Sequence, residues 1–144
     1  MPAAVVVLLC VSAACSDGTA EGLTIDGAWA RTTAKSAPTG AIYLTIESGN
    51  ADRLMGVSVP SSVAASASVH RTVNEDGTVS MEHVDAVEIP AGERVELAPG
   101  GTHIMLIDLA APLQMGDRFE TRLDFESQPD QVVTVKVSDT APGE

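Results

Sequence analysis

Four side chains in this sequence have the types and spacing to do chemistry together: His70, Met81, His103 and Met105, in the pattern His-x10-Met-x21-His-x-Met. Thioethers are soft, neutral and weakly basic donors. A site that joins two of them to two imidazoles suits Cu(I) far better than zinc, calcium or magnesium. No cysteine follows Cys15, so no thiolate competes for the metal and no disulfide framework braces the fold. In an oxidising compartment thioether ligands make sense, because thiols there are lost to disulfides.

Something must hold these residues in place, and the sequence around them is built from short runs. From Leu23 onward, β-branched or alternating stretches are bounded by Gly, Pro, Asn and Asp, the pattern of an antiparallel sandwich or barrel. Strands are expected near Leu23–Arg31, Gly40–Glu47, Arg53–Val59, Val63–Arg71, Val79–Val84, Arg94–Leu97, His103–Leu109, Arg118–Phe125 and Val132–Val137. Breakers fall between them at Glu47–Asp52, Pro90–Gly92, Pro99–Gly101 and Pro129–Asp130. There is no long stretch of helical period, no internal repeat and no sign of a second domain. The fold class is all-β.

The 144 residues carry 44% apolar but only 3% aromatic side chains, so the core must be largely Val, Ile, Leu and Ala. A single domain of this length buries about two thirds of its unfolded surface. The net charge of -12 repels phosphate backbones, which makes nucleic acid an unsuitable partner.

The first fifteen residues read as an export signal. Val5–Ala14 is an apolar run too short to span a bilayer comfortably, ending in small residues, although no Lys or Arg precedes it. Ser12-Ala13-Ala14-Cys15 resembles a bacterial lipoprotein cleavage box, with Ser where Leu usually stands. Lipidation at Cys15 is the expectation, with plain secretion and an unprocessed buried segment as alternatives. Residues 16–22 form a Ser-, Asp- and Gly-containing tether, 23–138 the β domain, and 139–144 a polar frayed end.

Geometry then asks whether the four ligands meet. Asn74-Glu75-Asp76-Gly77 is a turn sequence, and a four-residue loop centred on Glu75 and Asp76 pairs His70 with Met81. A tighter Asp76-Gly77 turn instead sets His70 opposite His83, which then becomes a substitute ligand, a supporting group or an exposed side chain. His103 and Met105 lie two apart on one strand and face the same way. Each pair is a two-donor clip, and their convergence requires the strand of His103 to lie beside the hairpin. Trp29 and Tyr43 read as core or rim aromatics; Met55 and Met115, with no histidine at short range, read as packing or turn residues.

The ligand spacing resembles the PCuAC family of periplasmic copper(I) chaperones, as do Gly27-Ala28-Trp29-Ala30-Arg31, Gly40-Ala41-Ile42-Tyr43-Leu44, Ala51-Asp52-Arg53-Leu54 and Gly100–Leu106. The resemblance covers about Ile25 to Val137. It implies a cupredoxin-like Greek-key β-barrel or sandwich and one Cu(I) held by His70, Met81, His103 and Met105. It further implies delivery to the dinuclear copper centre of cytochrome c oxidase subunit II, in a pathway with Sco-type proteins. Many members carry Glu after the first histidine and a further Met near the next ligand, where this chain has Arg71 and Val79. Some carry a His- and Met-rich tail that holds Cu(II). Ser138–Glu144 has neither residue, so one copper is expected.

Rival readings account for less of the sequence. A blue-copper electron carrier needs a cysteine thiolate beside its histidines. A hydrolase needs a nucleophile elbow, a His-Glu-x-x-His helix or a framed carboxylate pair, and none is legible, so the chain reads as a non-enzyme. A metal-free β-sandwich that displays binding loops leaves the His/Met spacing as coincidence, and copper storage or resistance needs the same reversible site as delivery.

Overall fold

The structure is a computed structural model that describes residues 22–143. The export signal, Cys15 and residues 16–21 of the expected tether lie outside it. Ten strands follow in order: β1 (Leu23–Arg31), β2 (Thr39–Ser48), β3 (Asp52–Ser58), β4 (Ala64–Glu75), β5 (Thr78–His83), β6 (Val87–Ile89), β7 (Arg94–Leu97), β8 (Thr102–Leu109), β9 (Arg118–Phe125) and β10 (Gln131–Ser138).

Hydrogen bonding links them as β5-β4-β8-β2-β1-β10-β9-β3-β6, with β7 also on β2. The β1–β10 pairing is parallel, with Trp29 beside Lys136 and Ala30 beside Val137. A parallel pair cannot be closed by a hairpin, so the two ends of the domain meet only after the chain has crossed between sheet halves. β2 is the shared strand: Thr39–Ile42 pair with β8, and Leu44–Glu47 pair with β7.

Alternation sorts the side chains. Ile42, Leu44 and Ile46 of β2, Ile104 and Leu106 of β8, Leu123 of β9 and Val135 and Val137 of β10 point inward and are all 2% exposed or less. Burying each of these aliphatic side chains contributes about 1.5–3 kcal/mol before chain entropy is set against it. The core is aliphatic, as so few aromatics require. On β2 and β8 the intervening residues Tyr43, His103 and Met105 take the other face of the sheet.

Two local features aim that face. In β1 the register slips between Asp26 and Trp29, a bulge in which Gly27 takes φ 62°. Nothing lies within 4 Å of where a Gly27 Cβ would sit, so it is the left-handed backbone that asks for glycine here. The bulge brings Trp29 opposite Tyr43.

In the β4–β5 hairpin Glu75 pairs with Thr78, leaving Asp76 and Gly77 as a two-residue turn with φ 51° and 81°. The expected four-residue loop is therefore corrected: His70 stands opposite His83, and Met81 opposite Thr72. A two-residue turn with both φ positive matches the right-handed twist of its strands, and Asp-Gly is the dipeptide that tolerates it. β4 pairs with β8 only as far as Arg71 opposite Thr102. The end of the hairpin projects beyond the sheet as a two-stranded ribbon.

Candidate metal centre

Register builds the site. On β4 His70 lies opposite His103 of β8 on one side and His83 of β5 on the other, so three imidazoles form a rung on one face of three adjacent strands. One step along, Met105 lies between Ser68 of β4 and Ala41 of β2. In the other direction Met81 lies opposite Thr72, diagonal to His70. Directly opposed Cβ atoms are about 5 Å apart and diagonal ones about 7–8 Å, still within reach of a flexible thioether.

Three of the four residues line one cavity of about 390 Å³. Met81, His103 and Met105 share it with Ala41, Tyr43 and Thr72. The strand that carries His103 and Met105 thus runs directly beside the hairpin. His70 does not line the cavity; it sits next to His103 with its Nδ1 buried and without a hydrogen-bond partner. Leaving such an atom unpaired costs about 1–3 kcal/mol, so His70 carries an unused donor atom at the edge of the site. Its Nε2 lies 2.9 Å from Ser68 Oγ.

His103 is 5% exposed and its Nδ1 lies 3.1 Å from the Gly101 carbonyl oxygen. A carbonyl only accepts, so Nδ1 carries the proton and Nε2 is left as the donor toward a metal. The Tyr43 ring packs 6.3 Å from the His103 ring, and Trp29 packs 4.9 Å from Tyr43. Trp29 and Tyr43 are buried, as expected of core aromatics, but they also buttress a candidate ligand. The signal in the sequence was Gly27: without the bulge, Trp29 does not stand opposite Tyr43.

Burial lowers the pKa of His70 below 6.5, helped by charge repulsion from His83 and then from His103. The neutral imidazole, which is the coordinating form, is thereby favoured. The His83 side chain is 57% exposed and its Nε2 lies 3.3 Å from Asp85 Oδ1. It meets the His70 ring edge-on at 5.5 Å and does not line the cavity. Met55 on β3 and Met115 in a turn are exposed and lie outside the cavity lining.

Among the described residues no three His, Cys, Asp or Glu side chains converge as a metal site. Thioethers at Met81 and Met105 beside imidazoles are a donor set that suits Cu(I) better than zinc.

A family described as "Putative lipoprotein LpqE-like" matches residues 23–137. The chain belongs to this family and has a PCuAC-type, cupredoxin-like β fold. It is 36% identical over 121 residues to "Putative lipoprotein Lxx21020" of Leifsonia xyli subsp. xyli (strain CTCB07), covering 83% of this chain and 72% of that relative. Protein RP573 of Rickettsia prowazekii (strain Madrid E) is 30% identical over 118 residues, 79% of this chain and 65% of the relative's length. The apo PCuAC domain from PmoF1 superposes with a TM-score of 0.69 at 23% identity, covering 85% of this chain and 98% of that domain. The apo form of DR1885 from Deinococcus radiodurans gives 0.65 at 27% identity over 97% of this chain and 95% of that one. Its CuI form gives 0.65 at 25% identity, covering 83% and 80%. The Asp139–Pro142 segment lies against the β domain. It lines the clefts beside Trp29, and Asp139 accepts a hydrogen bond from Thr32.

Proposed function

We propose that this protein is an extracytoplasmic copper(I) chaperone that binds one Cu(I) through His70, Met81, His103 and Met105 and releases it by ligand exchange. The observation that carries the reading is the shared cavity of Met81, His103 and Met105, with the unpartnered Nδ1 of His70 on the neighbouring strand. The existence of a CuI form of DR1885, of the same fold, supports it.

The donors define what the site does. Four neutral ligands leave the complex with the single positive charge of the ion and hold it less tightly than thiolates do. The pieces are unequally fixed: His103 is 5% exposed and braced by Tyr43, whereas Met81 is 55% exposed on a projecting ribbon. His103 anchors the ion, and Met81 is the donor that an incoming thiolate or imidazole displaces first. That asymmetry favours delivery over storage, which is better served by burying every ligand. The chain acts as a carrier rather than an enzyme.

The acceptor in this reading is the dinuclear copper centre of cytochrome c oxidase subunit II, working with a Sco-type thiol protein. Export followed by lipidation at Cys15 places the carrier at the outer face of the bacterial cytoplasmic membrane, where that centre lies, and a lipoprotein family supports the anchor. The test is to mix the Cu(I)-loaded chain with the copper-free soluble domain of subunit II under anaerobic conditions, separate the two and measure copper in each. Transfer that a competing chelator outside the complex does not intercept supports direct delivery. Copper that stays on this chain supports storage instead.

A further inference from the structure

The wall of the copper cavity is electrically unlike the rest of the molecule. The chain has 20 acidic and 8 basic residues, yet the cavity is lined by no carboxylate and by one cation, Arg31. A second cation stands at its mouth. Ala34 and Ala37 both line the cavity and close a turn through the Ala37 N–H to the Ala34 carbonyl, 3.1 Å, which puts exposed Lys35 at the corner of that turn.

Among the described residues neither Arg31 nor Lys35 takes part in an ion pair, whereas Arg53, Arg71 and Arg122 all do. The loop that carries Lys35 is fixed: Thr33 N–H donates to Leu113 O at 3.0 Å, and Leu113 N–H donates to Thr33 Oγ1 at 2.9 Å. The backbone that carries Lys35 is thus anchored, and both cations are without an ion-pair partner among the described residues.

The nearby carboxylates lie outside the cavity lining. Asp139 is engaged by the Thr32 hydroxyl, and Glu82, next to Met81, is paired with Arg71 at 3.0 Å. Asp26, Glu96 and Asp139 share with Arg31 and Tyr43 the neighbouring cleft, without an ion pair to Arg31. Glu75 and Asp76 sit at the hairpin tip, three or more residues beyond Thr72, about 10 Å along a strand. That exceeds the Debye length of about 8 Å at 0.15 M salt, so the tip is largely screened from the mouth.

Resting on the carrier reading above, we infer that the copper acceptor docks over this cavity with a surface whose own site is ringed by acidic residues, met by Arg31 and Lys35. The apolar centre, Met81, Met105, Ala34, Ala37 and Ala41, meets the acceptor's donor atoms. The acidic remainder of the chain repels the same partner everywhere else. Orientation is thus selected by one local patch, which sets encounter rate and register more than affinity.

Two forces oppose each other, which makes the idea testable. The net charge of -12 favours a basic partner at long range, and the mouth favours an acidic one within a screening length. Two synthetic acceptor peptides with the same Cys-x-x-Cys core, one flanked by Glu and one by Lys, are mixed with the Cu(I)-loaded chain, and transfer rates are followed at 0.15 M and 1 M salt. The Glu-flanked peptide is expected to take copper several-fold faster at 0.15 M, the gap closing at 1 M. In Lys35→Glu, a residue outside the cavity lining, the gap narrows while Cu(I) affinity stays that of the parent, and in Arg31→Glu with Lys35→Glu the order of the two peptides reverses. A faster Lys-flanked peptide with the parent, or a preference that both variants leave unchanged, overturns the inference while leaving the carrier reading standing. A parent that takes up no Cu(I) overturns both.

Discussion

Replacing Tyr43 separates what positions a ligand from what only fills space. Its ring is 9% exposed and packs between Trp29 at 4.9 Å and His103 at 6.3 Å. Tyr43→Ala removes the ring, at a stability cost of about 3 kcal/mol, the low end for a buried aromatic because one side opens on the cavity. That is tolerable within a typical total of about 5–15 kcal/mol, so the variant still folds. With the ring gone, His103 keeps its bond to Gly101 O but loses the surface that fixes its tilt. Removing a group that orients a metal-bound histidine weakens binding about 10–100-fold. Tyr43→Phe keeps the ring and is expected to bind within about threefold of the parent, a shift of under 1 kcal/mol. Urea unfolding of the apo forms gives the stability term, and anaerobic Cu(I) competition with a chromophoric chelator gives the affinity. Tyr43→Ala binding as tightly as the parent would refute the buttress. Tyr43→Phe losing as much as Tyr43→Ala would show that the hydroxyl, not the ring, is what matters.

The lowered pKa of His70 has a sign that can be checked. Above pH 6.5 the imidazole is neutral in both folded and unfolded chains; as pH falls below 6.5 the unfolded chain binds the proton first. The corresponding stability is thus complete above 6.5 and is lost as pH falls through the lower folded value. Proton competition with Cu(I) at His70 sets in below 6.5 for the same reason, and an NMR titration of its ring in the apo protein should show a midpoint under 6.5. A midpoint above 6.5 contradicts the burial argument. His83→Ala should raise that midpoint by removing a repulsive neighbour, yet leave Cu(I) affinity within about threefold, since His83 does not line the cavity. A loss of affinity approaching that of the His103→Ala variant would make His83 a ligand.

Much of this was legible in the sequence because alternation is a strong signal in an aliphatic chain. β1, β7 and β9 have the bounds that period-two patterning and turn residues suggest, and six other strands differ by a few residues at their ends. β6 was not legible: Val87-Glu88-Ile89 is too short to show a period, and it exists because Ile89 is buried and Asp52–Leu54 offer it a partner edge. The donor types were readable from spacing alone. The hairpin register was not, since Asn74–Gly77 suits either turn and the choice falls to backbone twist at Asp76 and Gly77. Nor was the bracing of His103 by Tyr43 and Trp29, which depends on a bulge that a single glycine only hints at.

The most direct test is an anaerobic Cu(I) titration of the protein against a chromophoric competitor, beside Met81→Ala and His103→Ala. Met81 is 55% exposed, so its removal should cost under about 1 kcal/mol of stability, and a loss of copper there cannot be blamed on unfolding. One equivalent bound by the parent and binding weaker by at least about tenfold in each variant are expected, as loss of a direct ligand requires. No specific Cu(I) binding by the parent, or parent-like affinity in both variants, would contradict the four-donor Cu(I) site.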